Sequence, residues 1–176
     1  MYKGTTKACL PTVKFPEGWH ITCTHNHWCN KSTVKDYISK IIVLYLTEKK
    51  AKLKLPNNQQ ALAIIDRFRG QCTEEVLQLL QQHNIDIVYV PANCTGLLQP
   101  LDLSISKLAK DFLRGKFQEW YADQIYNQRE DVVTPVKFPL KQMKSLGAQW
   151  MINWNDYILA HPEIKNGFRA AGITQK

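Results

Sequence analysis

The chain has 176 residues, 44% of them hydrophobic, and 23 Lys and Arg against 15 Asp and Glu, a formal charge of +8. That is enough apolar material for one buried core, so a single domain over residues 1–176 is expected and a disordered tail is excluded. No apolar run approaches the roughly 18 residues of a membrane span, and the first residues lack the apolar region of a secretory signal, so the expectation is a soluble intracellular protein with no membrane partner. Five cysteines without regular spacing fit buried thiols in a reducing compartment better than a disulfide framework.

The charge is unevenly spread. Residues 1–60 carry ten Lys against three acids, residues 61–130 carry seven basic and nine acidic residues, and residues 131–176 carry six and three. Basic flanks around an acidic middle point to a polyanionic partner such as nucleic acid, with any metal-binding carboxylates in the middle. The same balance also occurs in proteins that bind no nucleic acid.

From the amino end, Gly4, Pro11 and Pro16 mark extended or looped chain. Trp19 to Trp28 alternates weakly and predicts a strand ending near Asn26. Ser32 or Thr33 is then placed to cap a helix with apolar positions Val34, Tyr37, Ile38, Ile41, Ile42 and Tyr45. Lys49 to Lys54 is a basic run, and Pro56-Asn57-Asn58 reads as a loop before the apolar run Ala61 to Ile65. That run is short and continuous, as a buried central strand would be, and ends in Asp66.

Thr73 followed by Glu74 and Glu75 predicts a helix start, with Val76, Leu77, Leu79 and Leu80 continuing it to Asn84. Ile85 to Val90 is the next strand. A helix of about ten residues between the two strands is long enough for a parallel crossover. After a loop over Pro91 to Gly96, Leu98-Gln99-Pro100-Leu101-Asp102 leads into the longest helical pattern, from Asp102 to about Gln128. Phe117, Trp120 and Tyr121 on it read as core rather than as a base-stacking platform, and Lys107, Lys110 and Arg114 share another face. Asp131 to Pro139 is a loop. A last helix from Lys141 to about Ala160 is stopped by His161-Pro162.

Two carboxylates thus bound one strand, helix, strand unit. Asp66 falls at the C-terminal edge of a strand, where open α/β sheets place ligands, and Pro100 puts Asp102 in the first turn of a helix. Mg²⁺ is held by one or two carboxylates together with phosphate oxygens, and paired ions activate the attacking and leaving oxygens of a phosphodiester displacement. Two aspartates are a weak signal, since a strand-end carboxylate and a helix-terminus charge are ordinary structural roles. A rival metal site is Cys23, His25, His27 and Cys29. Strung along about 20 Å of strand, these four cannot close a tetrahedral Zn²⁺ shell without a sharp bend.

Taken together, Tyr2-Lys3-Gly4-Thr5-Thr6, Phe15-Pro16-Glu17-Gly18-Trp19, Asn26-His27-Trp28, the apolar run into Asp66, Val90-Pro91-Ala92-Asn93-Cys94-Thr95, Leu98-Gln99-Pro100-Leu101-Asp102 and Gly167-Phe168-Arg169-Ala170-Ala171-Gly172-Ile173 resemble the catalytic domain of pogo and Tigger-type transposases and of host proteins derived from them. The resemblance covers almost the whole chain. It implies an α/β, ribonuclease H-like mixed sheet flanked by helices, Mg²⁺-dependent DNA strand cleavage and joining, a DNA partner and a nuclear location. By position Asp66 and Asp102, with thirty-five residues between them, resemble the second and third acids of the family's metal site.

The family's first acid belongs on an opening strand before Tyr2, so the first strand is expected to be missing and the chain to be one partial domain. Many relatives carry Asn after the second acid, whereas Arg67 stands here, poised to pair with Asp66 and oppose a cation. The resemblance therefore implies an inactive DDE-type domain with Asp66 and Asp102 as its catalytic and metal positions and Lys107, Lys110 and Arg114 as DNA contacts. The alternative is a domesticated module that binds DNA or a chromatin protein and does no chemistry. Protein partners and a homodimer are left open.

Overall fold

A computed structural model of the chain describes residues 1–66, 73–128, 134–162 and 166–173. They form two compact units, Met1–Cys9 with Gly18–Gln99 and Leu10–Glu17 with Pro100–Lys176. Among the described residues the strands make two parallel two-stranded sheets rather than the one mixed sheet expected. The class is mixed α/β.

In the first unit, Asn30 rather than Ser32 or Thr33 caps α1 (Lys31–Tyr37). The Asn30 side chain accepts from the Thr33 backbone N–H at 3.1 Å, while the Thr33 hydroxyl accepts from the Asn30 N–H at 2.9 Å. Thr33 is therefore the third-residue partner of a capping box, not its first member. The helix runs on through a π stretch, Ile38–Ile42, into α2 (Val43–Lys52). Val34 and Ile38 lie one turn apart and are buried, but Tyr37 and Tyr45, also expected inside, are 54% and 56% exposed. The apolar stripe of this helix is narrower than its sequence suggests.

β3 (Ala61–Asp66) and β4 (Ile85–Val90) pair in parallel, from Ala61 opposite Ile85 to Asp66 opposite Val90. Such a pair needs a crossover, and α3 (Glu74–Gln82) supplies it. Val76 and Leu80, four residues apart on α3, meet Val34, Ile38 and Ile85 in the core of this unit. Each such side chain contributes about 1.5–3 kcal/mol by leaving water. β3 is not buried on both faces: Leu62 and, across the ladder, Val88 are exposed, while Ala61, Ala63 and Ile87 pack against the core.

The α3 start also differs from expectation. Thr73 is the cap residue, but its side chain makes no capping bond. The third helical position is Val76, which has nothing to return to the cap. Glu74 and Glu75 instead complement the positive end of the helix. Glu75 also binds Lys31 at 2.5 Å and Lys35 at 2.7 Å, tying α3 to α1. Asn84, at φ 54°, ends α3 in the left-handed region that Asn tolerates.

Towards the amino end, β1 (Tyr2–Lys3) pairs in parallel with β2 (Cys23–Thr24). The strand expected over Trp19 to Asn26 is thus only two residues long. The chain turns at His27, φ 58°. A short helix, α4 (Thr95–Leu98), interrupts what reads as a continuous loop.

The second unit is helical: α5 (Pro100–Tyr126), α6 (Leu140–Ala160) and α7 (Gly167–Ala170). Proline is tolerated at the first position of α5 because that N–H has no intrahelical partner. α6 buries Ala148 and Trp154, and the Phe112 ring of α5 lies 5.4 Å from Trp154 and 5.7 Å from Tyr157. Phe117 and Tyr121 are each 37% exposed and stack on Phe138, so the aromatic stripe is only partly core. His161 ends α6, as its proline neighbour predicts.

α7 packs on the start of α5 through Gly167. A Cβ there would run into the Pro100 carbonyl oxygen and the Ser104 hydroxyl, and would sit 2.9 Å from the Pro100 carbonyl carbon. No larger residue fits without moving backbone. Gly167→Ala is expected to cost about 1–3 kcal/mol, the usual penalty of overpacking, read as a lower urea midpoint.

Ion pairing of Glu75 makes stability depend on pH. Hydrogen bonds from Lys31 and Lys35, and then their charges, lower the Glu75 carboxyl from its ordinary 4.5 to about 2. The folded value lies below the unfolded one, so the stabilisation is complete above about 4.5 and is lost as pH falls towards 2. The group is exposed, so the effect is modest and shrinks with salt. Urea midpoints measured at pH 5 and pH 3 should fall less in Glu75→Gln than in the parent chain. An equal fall in both would show that this pair does not carry the pH dependence.

Candidate functional site

Asp66 is the last residue of β3 and is exposed at the strand's C-terminal edge, in register with Val90. Parallel pairing puts both strand ends on the same edge, which is where the alternating backbone stops being covered and a ligand can approach. The Arg67 expected to pair with Asp66 lies outside the described residues.

Asp102 is the third residue of α5, in its first turn and partly buried. A negative group there complements the unpaired N–H groups of the helix start, by about 0.3–1 kcal/mol. Behind it the Ser104 hydroxyl donates to the Pro100 carbonyl at 2.8 Å, and Gly167 closes on that same carbonyl. The helix start carrying Asp102 is thus held by α7.

A cavity of about 490 Å³ opens beside this turn, lined by Asp102, Ser104, Lys107, Tyr157, Asn166 and Gly167 among others. It places one carboxylate and one ammonium of the predicted set on the same wall. Ser104, Tyr157 and Asn166 were not singled out by sequence reasoning. The Gly167-Phe168 motif was the one available signal, since a glycine there lets α7 come close enough to bring Asn166 to the cavity.

Lys110 and Arg114 follow Lys107 along α5, and all three are exposed. Arg114 donates to the Asp111 carboxylate at 2.8 Å. An exposed pair of this kind is weak and salt-screened, so Arg114 can exchange that partner for another anion at little cost.

Asp66 belongs to the first unit and Asp102 to the second. Carboxylate oxygens are the right donors for Mg²⁺, which needs few protein ligands when phosphate oxygens complete its shell. Yet no three of the described His, Cys, Asp and Glu side chains come together as a set that could hold a metal ion. The described residues by themselves therefore do not fit a two-ion centre. The Cys23 to Cys29 stretch does not lie along one strand: Cys23 donates to the Thr6 carbonyl at 3.5 Å, His27 stacks with Trp28, and Cys29 meets the Thr33 hydroxyl at 3.4 Å.

Comparison with known proteins extends over both units. The model of the DDE superfamily endonucleases matches residues 3–168. The human pogo transposable element with KRAB domain is 26% identical over 167 residues, covering 94% of this chain and 25% of that protein; its mouse counterpart is 25% identical over the same length. The human pogo transposable element with ZNF domain is 31% identical over 80 residues, 46% of this chain and 6% of that protein. The chain thus spans about a quarter of the length of the first two relatives. No solved structure matches it. With a family match running from the first strand to the last helix and pogo-type relatives aligned along 94% of its residues, the chain belongs to the DDE superfamily endonucleases.

Proposed function

We propose that this chain is a DNA-binding domain of the pogo-type DDE class, ribonuclease H-like in architecture and nuclear in location, in which Asp66 and Asp102 occupy the second and third acid positions. The observation that carries the reading is their placement. Asp66 ends a strand of a parallel pair, and Asp102 sits in the first turn of α5, directly after Leu98-Gln99-Pro100-Leu101. A family match that crosses both units supports treating residues 1–176 as one domain.

Carboxylates are the donor type that Mg²⁺ takes, but no metal-holding set forms among the described residues, so the reading rests on binding and not on chemistry. The chain's own residues contribute binding and orientation. Lys107, which lines the cavity beside Asp102, would meet a phosphate oxygen, and Lys110 and Arg114, three and seven residues further along α5, would carry the contact along a backbone. These contacts carry no sequence information, so affinity depends on salt and hardly on base sequence.

The 176 residues alone are not expected to cut DNA, because among the described residues no three acids gather into a set that could hold the cations of an in-line displacement. A domesticated module that keeps the fold and binds DNA without chemistry is the same reading with the ions left out, and divalent binding separates the two.

One experiment tests binding and cleavage together. The 176-residue chain should bind duplex DNA at about 50 mM salt and lose affinity steeply by 200 mM. Replacing Lys107, Lys110 and Arg114 by Ala should reduce the salt slope by about two to three, near one for each lost phosphate contact. Supercoiled plasmid in Mg²⁺ or Mn²⁺ should stay uncut. Absence of binding at low salt would remove the DNA reading. Divalent-dependent nicking abolished by Asp66→Asn and by Asp102→Asn would restore an active enzyme.

A further inference from the structure

The positive charge of residues 1–60 has no part in the candidate site, and three of its ten lysines are already used inside the first unit. Lys31 and Lys35 bind Glu75, and Lys40 binds Asp36 at 2.7 Å. Four more, Lys49, Lys50, Lys52 and Lys54, crowd the end of α2. Among the described residues, none of these four is ion-paired. Glu48 is the sole carboxylate between residues 43 and 60. Lys49 lies over the Tyr45 ring at 5.3 Å, and Lys50 donates to the Asn57 carbonyl at 3.0 Å. Lys52 and Lys54 are exposed.

The backbone at this helix end already satisfies part of what usually draws cations there. The terminal carbonyls of a helix carry partial negative charge and attract Lys. Here Leu53 donates to Lys49, Leu55 to Lys50 and Lys54 to Ala51, at 2.9, 2.9 and 3.1 Å. Three of the terminal carbonyls, those of Lys49, Lys50 and Ala51, are thus satisfied within the chain, two of them in the pattern that accompanies a left-handed residue. That residue is Lys54, at φ 55°, where glycine would be unstrained. A strained lysine at a position that favours glycine adds one more cation to the cluster.

Beside this rim is a groove of about 300 Å³ lined by Lys50, Thr47, Asn57, Gln82, His83 and Asn84, with no carboxylate in its wall. It joins the ends of α2 and α3, and its polar side chains include two ammonium or imidazole groups and several amides. Such a surface offers hydrogen-bond donors beside Lys50, which is the one of the four lysines that lines the groove. Lys49, Lys50 and Lys52 lie in the last turn of α2 and Lys54 two residues beyond its end, so four positive charges fall within six consecutive residues.

We propose that the Lys49 to Lys54 rim and the Lys50–His83 groove form a second phosphate-binding surface, which takes the sugar-phosphate backbone of duplex DNA independently of the α5 face. The inference rests on the DNA-binding reading but concerns a different part of the molecule. Lysine ammonium groups meet phosphates as point charges and the groove amides add directional bonds, so this surface contributes affinity and positioning without base readout.

The test compares two variants of the full 176-residue chain, with Lys49, Lys50, Lys52 and Lys54 all changed to Gln or all changed to Arg. Binding to a duplex of mixed sequence is followed by fluorescence anisotropy between 50 and 200 mM salt, with thermal melts to show that each variant is folded. The Gln variant is expected to lose at least tenfold in affinity at 50 mM salt, and its log–log salt slope should fall by about three to four. The Arg variant, which keeps the charge, should keep the parent slope. An unchanged slope in the folded Gln variant, with parent binding intact and still sensitive to Lys107, Lys110 and Arg114, would overturn the second surface and leave the α5 reading standing. If the parent chain binds no duplex at any salt, both fall.

Discussion

Parallel pairing of β3 with β4 is the constraint on which the first unit depends. Two strands running the same way cannot be joined by a tight turn, so the chain must leave the sheet, cross one face and return. α3 makes that crossing, and its buried Val76 and Leu80 are what hold it down. Val34 and Ile38 of α1 then cover the same patch, and Ile85 closes it from the strand side. Because strands in a parallel pair end on a common edge, the arrangement that buries the core also sets Asp66 at the C-terminal edge.

A comparable constraint governs the second unit. α5 begins on Pro100, whose carbonyl is approached by both the Ser104 hydroxyl and the backbone of Gly167. Three elements of unrelated sequence, a proline, a serine one turn later and a glycine near the carboxyl end, converge on one peptide group. The carboxylate of Asp102 sits two residues beyond it. Asp102 thus lies on a helix start supported from behind by packing, rather than on a free loop.

Electrostatics divides the chain's lysines by use. Lys31 and Lys35 tie α1 to α3 through Glu75, which does structural work for the core beneath. Among the described residues, the lysines at the end of α2 and Lys107 and Lys110 on α5 form no ion pair, whereas Arg114 pairs with Asp111 and Lys116 with Glu119 along α5 itself. An excess of charge that folding does not use is what a polyanion partner requires.

Residue patterns alone determined much of this protein. The 3.6-residue repeats of α5 and α6, the apolar runs of β3 and β4, the spacing that makes their pairing parallel, and the strand-end and helix-start positions of Asp66 and Asp102 were legible because they depend on local periodicity and on breakers such as Pro100 and Pro162. Other features depended on which distant side chain arrived. Asn30 displaced Ser32 and Thr33 as the α1 cap because the Thr33 hydroxyl was needed in return. Tyr37 and Tyr45 stayed in solvent because α3 covers only the Val34 and Ile38 side of the helix. The Asp102 cavity could not be read along the chain, since Tyr157, Asn166 and Gly167 reach it from α6 and α7, more than fifty residues away. Periodicity reports how an element meets an apolar surface, whereas only tertiary packing decides which residues supply that surface and which polar groups come to face the same space.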